Sequence, residues 1–246
     1  MKKLIVSVLV ISSGALSAQF NLDKIIKDVK EDVKKETEKV APKASLSNDE
    51  VIKGLKEALS VGTNNSSSSV SKVDGFYKNP KVKIPFPKEA IDVKNTLDNL
   101  GMTKQTTKFV ETLNRGAEEA AKSAAPIFLK AITNMSIGDG FSILNGKDTA
   151  ATSYLKGKTS AELDAAFRPK VKEALQKVNI TKYWNPLMTK YNKIPGVKKQ
   201  NPDLDSYVTA KAMEGLFTLI AEEEMKIRKD PAARVSDILK KVFAGK

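Results

Sequence analysis

The stretch from residue 203 to about 228 constrains the fold most, because it predicts one long helix whose middle is apolar on nearly every side. Leu216 to Ile220 form that middle, and a helix without a polar face is stable only when other elements surround it. One side of the helix carries apolar or small residues at helical spacing: Val208, Ala212, Gly215, Leu216, Leu219, Ile220 and Ile227. We therefore expect a mainly α, single-domain helical bundle with this helix at its centre.

Start and stop signals divide most of the remaining chain from residue 46 onward into further helices. Ser47 with Glu50 forms a capping box that predicts a helix from 48 to about 61. The polar tract 63–69 has weak helix propensity and is expected to fray or form a loop. A second capping box is predicted at Thr159 with Glu162. Other boundaries are indicated by Gly101, Pro126, Ser136, Gly146, Arg168-Pro169, Thr181 and Pro231.

Residues 81–87 predict the one departure from helix. Their sequence, Lys-Val-Lys-Ile-Pro-Phe-Pro, alternates polar and apolar residues as an extended segment does. Pro85 and Pro87 cannot donate a backbone hydrogen bond, which confines such a segment to a sheet edge or an irregular connection. We expect one short extended or edge-strand segment near residues 81–87.

Residues 1–18 have the pattern of a cleavable signal peptide. Lys2 and Lys3 precede an apolar run over residues 4–11, and Ala15, Ser17 and Ala18 lie in a stretch of small residues that suits a signal peptidase. The apolar run is shorter than the roughly 20 residues that a bilayer span needs. The pattern predicts export to the periplasm or the exterior, with no transmembrane helix in the mature chain. Residues 19–45 predict an amphipathic helix and a linker before the helical domain 46–246.

The absence of histidine and cysteine excludes several reaction classes. A serine triad needs an imidazole, zinc sites normally need imidazole or thiolate ligands, and thiol chemistry needs a thiolate. Carboxylate acid–base chemistry, a serine with a lysine base, and hard-cation binding by oxygen atoms remain possible. The sequence carries no motif for the last of these, so no metal and no cofactor are expected.

The chain is strongly basic, with a formal net charge of +13. Its lysines alternate with acidic residues instead of clustering with aromatic residues, which argues against a nucleic-acid-binding groove. A basic exported protein can make peripheral contact with an anionic surface.

Glu223 is the first candidate site residue, because it falls on the core-facing side of the long helix. A buried carboxylate must be paired or protonated, or must line a cleft. The planar guanidinium suits fixed carboxylate pairing, and an ion pair with an arginine is the preferred interpretation of Glu223. The chain has four arginines, which are the candidate structural or recognition cations: Arg115, Arg168, Arg228 and Arg234.

From about Leu46 to the C-terminus, the chain resembles the bacterial domain-of-unknown-function family 4197, exported proteins without an assigned activity. The polar tract 63–69 departs from the more helical family pattern, and Gly116 and Gly140 stand where alanine is expected. The resemblance implies no chemistry, although its C-terminal motif adds Asp205 and Tyr207 to the candidate contact residues. The motifs that carry the resemblance include Asp74-Gly75-Phe76, Asn79-Pro80, Ile84-Pro85-Phe86-Pro87, Asn114-Arg115, Pro126-Ile127-Phe128, Phe167-Arg168-Pro169, Asp203 to Thr209, Gly215-Leu216-Phe217, Ile220 to Glu224 and Pro231 to Arg234.

Two functions remain open at the level of sequence. The preferred one is an exported, non-enzymatic helical protein that binds a protein, an apolar ligand such as a lipid, or a cell-wall partner through a cleft between helices. The alternative is a carboxylate-dependent hydrolase of cell-wall glycans, with Glu223 as the acid and Asp203 or Asp205 as the assisting group. The first is preferred because a helix with a rise of 1.5 Å per residue would hold Asp203 and Glu223 roughly 30 Å apart.

Overall fold

The computed structural model describes residues 47–177, 184, 189, 192, 193, 195, 196, 199, 203–234 and 237–243. The predicted signal peptide, the predicted helix within 19–45 and the predicted cap at Thr181 lie outside these residues. The described helices are α1 (Asn48–Val70), α2 (Ile91–Asn99), α3 (Thr103–Ala121), α4 (Ala124–Thr133), α5 (Ile137–Leu144), α6 (Ala150–Gln176), α7 (Leu204–Lys229) and α8 (Asp237–Val242), with 3-10 turns at Lys88–Ala90 and Pro231–Ala233.

These elements confirm the mainly α class. No described residue belongs to a β-strand. Among the helices within the described ranges, none combines the length and the apolar character that crossing a bilayer requires.

Helix α7 occupies the centre of the bundle, as its apolar middle predicts. It packs against α1, α3 and α6, and α3 and α6 also pack against each other. Leu216 is fully buried and Phe217 and Ile220 are nearly so. The ring of Phe217 meets the ring of Phe128 from α4 edge to face, with centroids 5.9 Å apart, a favourable aromatic geometry.

Several helix ends follow the predicted local signals. At the start of α1, the Ser47 N–H donates to the Glu50 carboxylate at 2.8 Å and the Glu50 N–H donates to Ser47 Oγ. The start of α5 near Ser136 is confirmed and contains the same box with Asp139. Gly101 follows the end of α2 with φ +80°, a conformation that glycine adopts without steric cost. In the two capping boxes both partners lie within one turn of the helix.

The predicted fraying of the polar tract 63–69 was wrong, because α1 continues to Val70. The hydroxyl of Thr63 donates to the carbonyl of Leu59 at 2.7 Å, and that of Ser66 donates to Gly62 at 2.8 Å. Hydroxyl groups bonded to the preceding turn in this way can be buried inside a helix bundle. The tract is helical because its small residues pack into the interior, which outweighs their weak propensity.

The predicted capping box at Thr159 was also wrong, because Thr159 lies in the middle of α6. Its hydroxyl donates to the Leu155 carbonyl at 2.7 Å, and Glu162 pairs instead with Lys130 of α4 at 3.1 Å. The preceding residues already form helix, so Thr159 has no chain end to cap. Pro169 lies within the same helix, which runs on to Gln176.

We refer to residues 71–87 as the strap. Its second half is the segment that was predicted as extended or as an edge strand, and it is non-helical and forms no strand. Val82, Ile84 and Phe86 are buried, whereas Lys81, Lys83 and Pro85 are exposed, as the sequence pattern predicts, but no strand lies beside them among the described residues. The Asn114 side chain of α3 replaces the strand. The Ile84 N–H donates to Asn114 Oδ1 and Asn114 Nδ2 donates to the Ile84 carbonyl, both at 2.8 Å.

The strap also lies close against α7, and Gly215 makes this approach possible. A Cβ atom at position 215 would be 2.9 Å from Phe76 Cε1 and 3.0 Å from Val82 Cβ. Both residues belong to the strap and are buried. Any larger residue at 215 would therefore displace core side chains.

We expect opposite effects from the same substitution at two buried helical glycines. Gly215→Ala should lower the free energy of unfolding by about 1–3 kcal/mol, because the methyl group overpacks the strap. Gly62→Ala in α1 should raise it by roughly 0.5–1 kcal/mol, since the nearest atom to its Cβ is Glu223 Cβ at an ordinary 3.6 Å. Urea unfolding measures both values. Stabilisation of equal size in the two variants would contradict the close contact between strap and α7.

Candidate functional site

The buried carboxylate of α7 is Glu224, one residue beyond the predicted Glu223. The Glu224 side chain is 6% exposed. Glu223 is 25% exposed and bonds Lys226 at 2.5 Å instead of an arginine. The helical spacing therefore indicated the correct turn of α7 but the wrong residue, because both positions lie near the boundary between the buried and the solvent-facing sides.

Glu224 caps the start of a different helix, α6. Its Oε1 accepts the N–H of Ala151 at 2.9 Å, and its Oε2 accepts the N–H and the hydroxyl of Thr152, each at 2.8 Å. First-turn N–H groups have no partner within their own helix, and the helix dipole favours a negative charge there. A carboxylate from α7 thus anchors the beginning of α6.

Arg228 extends this contact to the end of α5. Its Nε and Nη2 donate to Glu224 Oε1 at 3.0 and 2.9 Å, and Nη2 also donates to the Ile143 carbonyl at 2.8 Å. Counting the α6 donors, Glu224 accepts five hydrogen bonds, whereas a carboxylate offers about four lone-pair sites. Its acceptor capacity is therefore used by structural contacts.

Arg234 closes the C-terminal end of α7. It is 7% exposed, and its Nε and Nη2 donate to the carbonyls of Ile227 and Arg228 at 3.0 and 2.9 Å. The last carbonyls of a helix lack partners within the helix. Arg234 donates a hydrogen bond to each of two such carbonyls, and it contacts no carboxylate among the described residues.

Arg115 belongs to a separate cluster that fixes the first half of the strap. The buried Glu118 of α3 accepts the N–H groups of Phe76 and Tyr77 at 3.1 and 3.2 Å. Arg115 donates to Glu118 at 2.7 Å and to Asp74 at 2.6 Å, and these bonds raise the pKa of its guanidinium above the usual value. Sequence reasoning missed Glu118, since its backbone partners lie about 40 residues away.

Arg168 lies near the start of α7, away from both clusters. It forms a bidentate salt bridge with Asp164 on α6, in which the shortest hydrogen bond is 3.0 Å. It also donates to Ser206 Oγ at 2.6 Å. Asp203 caps the helix by accepting the Ser206 hydroxyl and the Ser206 N–H, the latter at 3.0 Å, and these two hydrogen bonds lower the pKa of Asp203. The arrangement ties the start of α7 to α6.

Asp205 and Tyr207 lie beside this start. Partial burial raises the pKa of the Asp205 carboxyl above its usual value, and the nearby charge of Asp203 adds to the effect. The Tyr207 hydroxyl donates to the Pro85 carbonyl of the strap at 3.2 Å. Glu223 stands twenty residues along α7 from Asp203, so the structure does not assemble the acid pair of the hydrolase hypothesis.

An apolar crevice opens beside the Glu224–Arg228 pair, between α1 and α7. Its cavity volume is only about 20 Å³, room for little more than one water molecule. Its charged wall residues are Glu224 and Arg228, which are already paired with each other. The residues that line the crevice are Leu55, Ala58, Leu59, Gly62, Thr63, Ala151, Ile220, Glu224, Ile227, Arg228 and Phe243.

Comparison of the sequence with protein-family models found a match that covers most of the chain. Residues 45–244 match a model described as a protein of unknown function, DUF4197. The chain belongs to the DUF4197 family. This confirms the resemblance seen in the sequence, and the DUF4197 match includes the strap, both buried carboxylates and the crevice. Comparisons with curated proteins and with solved structures found no match.

One substitution at two adjacent positions of the DUF4197 domain distinguishes the buried carboxylate from its neighbour. Glu224→Gln should lower the free energy of unfolding by about 3–5 kcal/mol, because it leaves Arg228 buried without its counter-charge. Glu223→Gln should cost less than about 1 kcal/mol, as expected for a pair open to solvent. Urea unfolding at neutral pH measures the difference, and losses of similar size would contradict the assignment of Glu224 as the structural carboxylate.

Proposed function

We propose that the protein is an exported, non-enzymatic helical protein that binds an apolar ligand in the crevice between α1 and α7. The observation that carries this proposal is the composition of the crevice wall. Apolar side chains from two long helices form most of it, and its one ion pair is satisfied within the protein. Walls that are apolar with a few fixed polar groups are typical of small-molecule sites, and the small volume of the crevice means that a ligand must displace part of its wall to enter.

The absence of catalysis is supported by what the buried carboxylates do. Glu118 and Glu224 both hold backbone N–H groups and an arginine, whereas general acid–base catalysis needs a group free to exchange a proton with substrate. Glycoside hydrolysis also needs two carboxyl groups about 5–10 Å apart. Asp203 and Glu223 are separated by roughly 30 Å along a continuous helix.

Export is supported by the signal-peptide pattern of residues 1–18. The net charge of +13, which falls to about +11 when Lys2 and Lys3 leave with those residues, favours peripheral contact with an anionic surface. In the envelope, such a protein would meet lipids and other apolar molecules that are scarce in the aqueous phase. The proposed location and the proposed ligand class therefore agree.

Export predicts a defined N-terminus. The full-length chain expressed in a bacterium should be recovered from the periplasm or medium without its first 17 or 18 residues, as read by intact mass and N-terminal sequencing. Val8→Arg, which interrupts the apolar run, should leave the uncleaved chain in the cytoplasm. A wild-type product with an intact N-terminus in the cytosol would contradict the proposal.

Ligand binding predicts bound material in the purified protein. Native mass spectrometry of exported wild-type protein should show adducts that organic extraction removes and identifies as apolar. Gly62→Leu should abolish them, because the new side chain fills the crevice. Gly157→Leu is the matched control, since no atom lies within 4 Å of a Cβ at that position.

Circular dichroism checks that both variants fold. Adduct-free wild-type protein, or adducts retained equally by folded Gly62→Leu, would overturn the proposed crevice.

A further inference from the structure

The strap carries more positive charge than the neighbouring carboxylates neutralise. It contains four lysines but a single acidic residue, Asp74. Asp74 lies 2.8 Å from Lys78. It also bonds Arg115 of α3, whose second carboxylate partner is Glu118. These two carboxylates therefore balance one strap lysine and the α3 arginine, and they leave no negative charge over for the other strap lysines.

Lys72 and Lys83 are the strap lysines that have no counter-charge among the described residues. Lys81 is balanced by Glu222 of α7 at 2.8 Å. Lys72 and Lys83 are both exposed, and neither lies within ion-pair distance of a described carboxylate. Lys83 instead lies over the ring of Tyr77, with its Nζ 4.5 Å from the ring centroid. The strap thus presents two unneutralised charges in a chain whose formal net charge is +13.

An exposed apolar side chain lies beside these charges. Val73 is 77% exposed, more than any other large apolar side chain of the described residues. A single exposed valine is ordinary on a protein surface, but Val73 lies in a tight turn in which the Gly75 N–H donates to the Lys72 carbonyl at 3.0 Å. The apolar side chain is therefore the direct neighbour of an unneutralised lysine.

A chain of contacts joins this turn and Lys83 into one surface. Arg115 donates to Asp74 of the turn at 2.6 Å, and its guanidinium lies 5.5 Å from the centroid of the Tyr77 ring, which Lys83 also contacts. Tyr77 is half-buried, and a tyrosine suits a boundary between apolar and wet surroundings because its ring is apolar and its hydroxyl polar. We call this the tip surface, which consists of Lys72, Val73, Tyr77 and Lys83.

The backbone of the tip surface is held in shape by the rest of the domain. Asp74 has φ +71°, in the left-handed region that residues other than glycine rarely adopt. Phe76 is fully buried, and its N–H donates to Glu118 at 3.1 Å. A Cβ atom at Gly75 would lie 2.5 Å from the Ser69 carbonyl oxygen, so the turn packs tightly against the end of α1. A surface that is ordered in advance loses little conformational entropy on binding.

We propose that the tip surface docks the protein on an anionic lipid surface. Lys72 and Lys83 lie at the lipid phosphates, and Val73 inserts between the head groups. Binding at a membrane interface combines apolar burial with attraction to anionic lipids, and the tip surface offers both. This inference rests on the export and the peripheral contact of the proposed function and adds the element that makes the contact. It does not involve the crevice.

The first test measures how much mature protein sediments with vesicles of phosphatidylcholine alone or with one-third phosphatidylglycerol. Binding should require phosphatidylglycerol and should weaken with added salt, because salt screens the attraction. Lys72→Gln/Lys83→Gln should weaken binding at least tenfold, since each lysine near an anionic surface contributes about fivefold.

Lys53→Gln/Lys241→Gln is the matched control for charge. Lys53 lies near the start of α1, roughly 25 Å along the helix from the strap, and Lys241 lies close enough to that start for its charge to act on Glu50. Both lysines are exposed. This variant removes the same charge from a different surface and should weaken vesicle binding less than threefold.

The second test concerns the inserted side chain. Val73→Ser should weaken binding to the anionic vesicles at least threefold, because apolar burial is lost, and Val73→Leu should bind at least as tightly as wild type. Leu100→Ser is the matched control and should change nothing. Leu100 is 72% exposed but precedes the start of α3, roughly 18 Å along that helix from Arg115. Circular dichroism checks that every variant folds.

Equal binding to neutral and anionic vesicles, or no binding to either, would overturn the docking proposal. Equal weakening by the two lysine pairs would also overturn it, since net charge and not the tip surface would then decide binding. Binding that Val73→Ser leaves unchanged and that soluble polyphosphate blocks would indicate a site for polyanions instead of a membrane contact, and would overturn the proposal as well. None of the substituted residues lines the crevice, so apolar adducts that persist in protein without vesicle binding would leave the proposed function intact.

Discussion

The contact on which the C-terminal half of the domain depends is the capture of the first α6 N–H groups by Glu224 of α7. Buried backbone donors must find acceptors, and leaving them unpaired costs as much as a lost hydrogen bond or more. Arg228 then neutralises the carboxylate and donates a hydrogen bond to a carbonyl in the last turn of α5. One turn of α7 thereby fixes the end of one helix and the start of the next, together with the loop between them.

The strap is held in the same way, by side chains of a helix that bond its backbone groups. Its backbone is irregular and partly buried, so it needs hydrogen-bond partners but has no neighbouring strand among the described residues. Asn114 and Glu118, one turn apart on α3, supply those partners to Ile84, Phe76 and Tyr77. In both places a rigid helix provides the polar side chain and an irregular segment or helix end provides the backbone group. This is how a mainly α domain can bury non-helical chain without forming a sheet.

The features that could be predicted from the sequence are those decided within one turn of helix or by a long apolar pattern. The capping box at Ser47, the helix start at Ser136 and the central position of α7 belong to this group. The missed features depend on partners distant in the chain: Glu224 meets residues more than 70 positions away, and Glu118 meets residues about 40 positions away. The crevice combines residues from α1, α6, α7 and Phe243, and no spacing rule indicates such a combination. The helical spacing of the apolar residues also did not show that Glu224, and not Glu223, is the buried carboxylate, because burial changes steeply across one residue of a helix.

The two walls of the crevice differ in how firmly they are held by the rest of the domain. The α7 wall contains the Glu224–Arg228 pair, whose bonds to α5 and α6 would have to break together before the wall could move. The opposite side includes Phe243, which follows a helix of six residues. Elements with few cooperative contacts open at lower free energy than a bonded core. The same ion pair therefore makes α7 the more firmly held surface, and Phe243 after the short α8 is the part of the wall that is displaced more easily. A binding function needs this combination, since one wall must keep its shape while the other admits the ligand.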